Sequence, residues 1–394
     1  MSNRCSDCPL RVVKIVDRAL LRDWRIYSHP HARESPEFVL LGYLHYTPVL
    51  TTPADVADTA AFIGRATAGR GLTLRPYATL RADGEAVRVG SNVYFGERAT
   101  VHIEDATLAA DVGNDVTVGR YAIVHACTVE DGVVVGDAAV VMDEAVVGPY
   151  ALIAAGALVP PRKHLAGGWL YAGHPATAVR AIDRAEVEDV AASIRGGHPA
   201  PAVYDPDLPP LDPRKLAPTP ASVEAVHAMG ARAERIGRAY IAPTAVVAGD
   251  VTFEDDVGVY FGCVVLAGDG GISIGRGSNI QDNSHLIPSG ARGSLRIGGG
   301  VTVGHNVRMG SATIEDDALV GMGSQLGDGV VVEAGACVAA RALVEPGTVI
   351  RSGWIWAGRP ARAFRELKSA ERESFAQARD IYIRYANAYR AGQT

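Results

Sequence analysis

Residues 129–159 read VEDGVVVGDAAVVMDEAVVGPYALIAAGALV, and Val129, Val135, Val141, Val147, Ile153 and Val159 fall six residues apart. An α-helix repeats every 3.6 residues and a flat strand every two, so neither produces this spacing. A triangular solenoid does. Three short strands make one coil, and the aliphatic residue of each hexad points inward onto its equivalents above and below. Small residues such as Gly136, Ala139, Ala145 and Gly148 fit the tight corners, where a bulky side chain would clash. The expected fold class is therefore mainly β.

The pattern extends both ways. Val112, Val118 and Val124 carry it upstream, with one hexad shortened by a residue before Val129. Far downstream Ile314, Val320, Leu326, Val332, Val338 and Val344 repeat it, each 185 residues after its counterpart. Both copies end alike, in GGWLYAGHPATAVRAI (167–182) and SGWIWAGRPARAFREL (352–367). The chain thus reads as a tandem duplication: two parallel β-helices, each followed by a helical segment at residues 183–195 and 369–391. Residues 197–221 are proline-rich and read as a stiff linker, and residues 222–236 have helical composition. The expected organisation is an N-terminal extension (1–50), a first β-helix domain (51–196), a linker with a short helix (197–236) and a second β-helix domain (237–394). Within the extension, residues 10–24 suit a short helix and residues 38–50 (FVLLGYLHYTPVL) a strand followed by a turn.

Few aromatics (6%) and abundant glycine suit short-stranded, turn-dense architecture better than a helical enzyme. The net charge of −6 gives no reason to expect nucleic acid binding, and no apolar run approaches membrane-spanning length. The first twenty residues lack the apolar core of a signal peptide, so a cytoplasmic location is the expectation. Five scattered cysteines make no disulfide framework. Cys5 and Cys8 form a single CxxC that His29, His31 and His45 could complete as a metal site; surface histidines on an extension are the plainer reading. Cys127, Cys263 and Cys337 occupy apolar repeat positions and read as small core residues.

Chemistry enters at residues 116–127, VTVGRYAIVHAC, and their echo at 301–312, VTVGHNVRMGSA. His305 stands where the first copy has Arg120. Ile287 and Gly310 stand where the first copy has His102 and His125. Val101 and Val124 face inward, so the histidines that follow them point outward, one coil apart, at a rise of roughly 4.8 Å. Two imidazoles at that separation can share an ion. A lone outward histidine is ordinarily a surface or interface residue; the complementarity of the two half-sets argues for a composite site.

Together with SNIQDNS (278–284) and residues 157–180, these stretches resemble the γ-class carbonic anhydrase-like family of left-handed β-helix proteins, over roughly residues 56–195 and 240–392. In that family the β-helices associate, and each metal lies between neighbours, with two histidines from one and the third from the next. The resemblance implies His102 and His125 as two ligands from copy one, and His305 as the third from copy two. It implies zinc, with Fe2+ or Co2+ as alternatives, and reversible hydration of carbon dioxide by metal-bound hydroxide. Gln281 matches a polar residue near the metal-bound water. Arg81 and Asp83, in TLRADGE, match a segment that forms salt bridges between neighbours and can orient the site. Copy two has Leu266 and Gly268 there.

A full three-histidine set requires the His102/His125 face of copy one to meet a face of copy two on which His305 and Gln281 stack. Three neutral imidazoles plus water is a recognised zinc arrangement with an open catalytic position. Glu97, Glu104, Asp105 and Asp282 are candidate proton carriers, because the family's acidic loop is missing after Asp83. His285 is a possible substitute ligand, or an interface hydrogen-bonding group. Arg120 would repel a cation and could pair with a carboxylate across the contact. The expected assembly is a homo-oligomer with β-helix faces packed together. Two other readings stay open: a metal-dependent hydrolase of a small amide, ester or thioester on the same site, and a non-catalytic scaffold.

Overall fold

In both copies the inward aliphatic residues stack in register one coil apart. Val124 pairs with Val101 below it and Val141 above it, and Val303 pairs with Ile280 and Val320. Each match removes apolar surface from water on both sides, which is why a two-residue strand suffices once stacked. The computed structural model describes residues 38–105, 107–197, 233–290 and 292–392. It holds two parallel β-helices, each with its own continuous apolar core. Turns between faces use left-handed backbone at residues that tolerate it, such as Asn92, Asp115, Asn283 and Asn306. No helix among the described residues is long and apolar enough to cross a membrane.

Two boundaries differ from the sequence reading. Val39–Leu41 and Val49–Leu50 pair in parallel with Ala61–Ala68, so the end of the N-terminal extension adds to the first β-helix. A strand was expected within residues 38–50, but without the hexad only the ladder reveals that it belongs to the β-helix. Ala233–Ile236, placed in a helix by composition, is a strand paired with Val251–Phe253. The remainder of that helix, the linker after Gly197, the helix at 10–24, Cys5, Cys8, His29 and His31 lie outside the described residues. His45 is exposed, stacked on Tyr46. Cys127, Cys263 and Cys337 are buried, as expected.

Each β-helix closes with an antiparallel hairpin and then a helix. Helix α1 (Arg184–Arg195) starts at Asp183, whose carboxylate accepts from the Glu186 N–H, and buries Val187, Val190 and Ile194 against copy one. Helix α2 (Ser369–Gly392) has twice the length. Its first half packs on copy two through Phe375, and its second half carries Tyr382, Tyr385 and Tyr389 into a cluster with Tyr43, Ile63, Tyr260 and Phe261. Residues of both copies therefore share one apolar joint.

The two copies meet within one chain, corner against corner. Arg98 donates to the Gly262 carbonyl (2.7 Å) and stacks on Tyr77 at 4.2 Å from the ring centre. Asn283 Nδ2 reaches Thr100 Oγ1, Asn306 Nδ2 the Tyr121 carbonyl and Arg341 the Gly156 carbonyl. The last two pairs are separated by 185 residues, the duplication offset, so equivalent corners face each other. Face to face, the copies are not equivalent: the sheet of copy one that bears His102 and His125 lies against the sheet of copy two that ends in His305. Arg98→Ala is expected to cost about 1–3 kcal/mol, because it leaves a buried carbonyl unpaired. Urea denaturation would show it; an unchanged midpoint would mean the corners do not hold the copies together.

Candidate metal centre

His102 closes the strand Thr100–His102, and His125 closes the strand Ile123–His125 one coil above, paired residue for residue. The local sequence fixes their direction, since buried Val101 and Val124 leave only the outward side for the next residue. His305 follows Thr302–Val303 at a corner of copy two and is fully buried. One ligand-capable atom from each of the three lies within 4.8 Å of the others. The ring centres of His102 and His305 are 5.0 Å apart, and those of His125 and His305 5.5 Å.

A carboxylate stands behind every imidazole. His102 Nε2 lies 2.9 Å from Asp83 Oδ1, and His125 Nδ1 lies 2.5 Å from Asp143 Oδ1. His305 Nδ1 is 3.1 Å from Asp282 Oδ2, off the line a hydrogen bond requires but within ion-pairing reach. The nitrogens left over converge: His102 Nδ1 and His125 Nε2 are 3.3 Å apart, and His305 Nε2 is buried without a partner among the described residues. A carboxylate on the rear nitrogen fixes the ring and makes the front nitrogen a better donor.

Two of the three imidazoles are held toward the neutral form that a cation requires. Burial, then the positive charges of Arg81 and the other histidines, holds His102 far below the usual imidazole range. Burial also lowers His305, to about 4. For His125 burial acts in the same direction, but the charge and hydrogen bond of Asp143 outweigh it and the net shift is upward. Asp282 is lowered to about 2: burial opposes ionisation, and Arg81 and His305 overcome it. Asp83, Asp143 and Asp282 against the single guanidinium of Arg81 leave two net negative charges around three imidazoles. A divalent ion on neutral imidazoles would balance them, so the residues fit a metal of the zinc class.

Arg81 and Asp83 sit behind the histidines and do not line the adjoining cavity. Arg81 is wholly buried, paired with Asp83 of its own copy and, through Nε at 3.0 Å, with Asp282 of the other. Tyr260 lies under its guanidinium, which also donates weakly to the Tyr382 hydroxyl at 3.4 Å. Tyr389 donates to Asp83 Oδ2 at 3.1 Å. The sequence offered both as residues that bridge neighbours and can orient the site, and their contacts are of that kind.

Gln281 lines the cavity with His102 and His125, and its amide donates to Asn279 Oδ1. It does not stack on His305, however. Ile280 pairs with Val303, which puts Asp282 one coil below His305 and Gln281 below Gly304. Of the acidic residues considered as proton carriers, Glu104 and Asp105 line the cavity, Asp282 is committed to Arg81 and His305, and Glu97 lies elsewhere. Arg120 pairs within its own copy, with Asp137 at 2.8 Å, not across the contact.

His285 belongs to another groove, with Ile287, Arg308 and Gly310, and neither of its ring nitrogens has a partner among the described residues. At Gly310, the counterpart of His125, a Cβ would lie 2.4 Å from Asp328 Oδ1, so the carboxylate equivalent to Asp143 has closed into the space. Asp143 is the residue the sequence reading missed. Its signal was positional: it occupies the corner one coil beyond His125, 18 residues on.

No family model matches the chain. It is 41% identical over 158 residues to the mitochondrial gamma carbonic anhydrase 1 of Arabidopsis thaliana, covering 39% of this chain and 58% of that protein. The chain thus spans little more than half of that relative. Coverage is fuller elsewhere: 37% identity with protein YrdA of Escherichia coli K12 over 86% of its length, and 35% with a carbonic anhydrase of Geobacillus kaustophilus over 85%. Among solved structures, a proposed acetyltransferase of Desulfovibrio desulfuricans G20 superposes over 86% of this chain and 80% of its own, with a TM-score of 0.53 and 14% identity, a likeness of fold alone.

Asp143→Asn is expected to weaken zinc binding about 10–100-fold, the usual effect of losing a partner behind a ligating histidine. Competition with a chelator would measure it. An unchanged affinity would mean Asp143 does not orient His125.

Proposed function

Since the chain belongs to the γ-class carbonic anhydrase-like family of left-handed β-helix proteins, we propose that it is a zinc-dependent carbonate dehydratase with one composite site per chain, made by both copies. The observation that carries the proposal is the convergence of His102, His125 and His305, each backed by a carboxylate, on one point. In this reading His102 offers Nδ1, and His125 and His305 offer Nε2. Zinc bound there supplies a Lewis acid and makes hydroxide available near neutral pH.

The chain's own residues then have separate tasks. Asp83, Asp143 and Asp282 hold the three rings at fixed angles, so no reorientation is needed during turnover. Arg81 keeps Asp83 and Asp282 apart in charge and together in space, tying the ligands of copy one to the ligand of copy two. Gln281 presents an amide to the cavity and would hold a substrate oxygen by hydrogen bond. Leu319, which lines the cavity with the histidines, gives carbon dioxide an apolar approach.

A hydrolase of a small amide, ester or thioester on the same site is the second reading, and the size of the cavity favours it. A scaffold without metal is the third, and metal content separates it from both.

Metal analysis of the wild type beside His125→Ala and His305→Ala tests the composite site. Both variants are expected to lose stoichiometric zinc together with CO2 hydration. Full zinc retention in His305→Ala would sink the shared site, because copy one alone would then suffice.

A further inference from the structure

The cavity beside the histidines is about 380 Å³. That lies in the range of sites that enclose organic ligands, roughly 300–1,000 Å³. A water molecule takes only about 30 Å³, so a triatomic substrate leaves most of this space unused. The walls are chemically one-sided. Met142 of copy one, Leu319 and Met322 of copy two, and Phe375 and Ile381 of helix α2 line it, and each is left half-buried. Apolar side chains half in water on one concave surface are apolar area still available for burial. Two of them are methionines, whose flexible chains adapt to varied apolar shapes.

Charge narrows the ligand. Glu104, Asp105 and Asp143 line the same cavity, and among the described residues no lysine or arginine lines it; Asp105 is paired with Arg384 and Asp143 with His125, which leaves Glu104. Along this wall, away from any cation on the histidines, a carboxylate or a phosphate-bearing carrier would meet the like charge of Glu104. A neutral head group would not, and Gln281 at the histidine end offers an amide to a carbonyl oxygen.

We propose that this groove binds neutral acyl compounds with an aliphatic chain of medium length, amides or esters, with the carbonyl toward His102 and His125 and the chain along Met142, Leu319 and Phe375. The proposal deepens the reading above, and only the direction of the carbonyl rests on it.

The test titrates butanamide, hexanamide and octanamide into the zinc-loaded full-length chain by calorimetry, with zinc content and CO2 hydration measured on the same preparation, and octanamide and octanoate into the zinc-free chain. Affinity is expected to rise about fourfold per added methylene along the amides. On the zinc-free chain, where no cation can capture a carboxylate, octanoate is expected to bind at least about threefold more weakly than octanamide, through repulsion by Glu104. Leu319→Trp, which fills the groove, and Phe375→Ala, which opens its helical wall, should each flatten the amide series while zinc content is kept. A flat series on wild-type protein that holds zinc and hydrates CO2 overturns the groove proposal alone. So does a graded series that neither variant changes, since binding then lies elsewhere. A graded, variant-sensitive series on protein that takes up no zinc upholds the groove and overturns the metal reading.

Discussion

The Arg81 guanidinium, buried between Asp83 of copy one and Asp282 of copy two, is the contact on which the rest of the molecule depends. Removing a charge from water is costly, and a buried ion pair is tolerated only where its remaining donors and acceptors are met. Here they are met by the imidazoles themselves: Asp83 turns its other oxygen to His102, and Asp282 lies against His305. Tyr260 of copy two lies beneath Arg81, and helix α2 closes the arrangement from outside with the Tyr389 hydroxyl on Asp83. The same guanidinium thus joins the two β-helices and sets the rings that face each other across their joint.

Duplication explains how one chain came to hold a single such place. Each copy has two polar faces to offer, and only one combination brings complementary remnants together. On the other faces the remnants have been put to different use. Arg120 pairs with Asp137, where copy two keeps His305 near Asp282. Asp328 fills the space over Gly310, where copy one keeps Asp143 behind His125. In neither case does a cation find three donors. At the site the asymmetry is built of side chains, while corners such as Tyr121/Asn306 and Gly156/Arg341 still face each other at the duplication offset.

Most of the fold was legible because a hexad of aliphatic residues has one physical use, stacking inside a triangular coil. The strand expected within residues 38–50 was legible but its place in the first β-helix was not, because an end coil needs only one neighbour and carries no hexad. Ala233–Ile236 escaped because helical composition in the preceding residues masked a short strand. At the site, the three histidines could be read from their complementary loss. The partners behind them could not be read as directly. Asp143 lies three hexads past His125, but the coil between them is one residue short, so Met142 takes the stacked position and Asp143 the corner beside it; Asp282 was displaced by one residue in the stacking assigned to Gln281. Tyr382 and Tyr389 look like ordinary members of an amphipathic helix until the helix is seen to cross from one copy to the other.

The central claim is that one chain, by folding its two copies together, makes one metal site. Native mass spectrometry of the zinc-reconstituted, full-length protein addresses it without mutation. The account predicts a single 394-residue chain carrying one zinc ion, in every oligomer released as well as in the isolated chain. Zinc found only in species of two or more chains, or two ions on one chain, would contradict it.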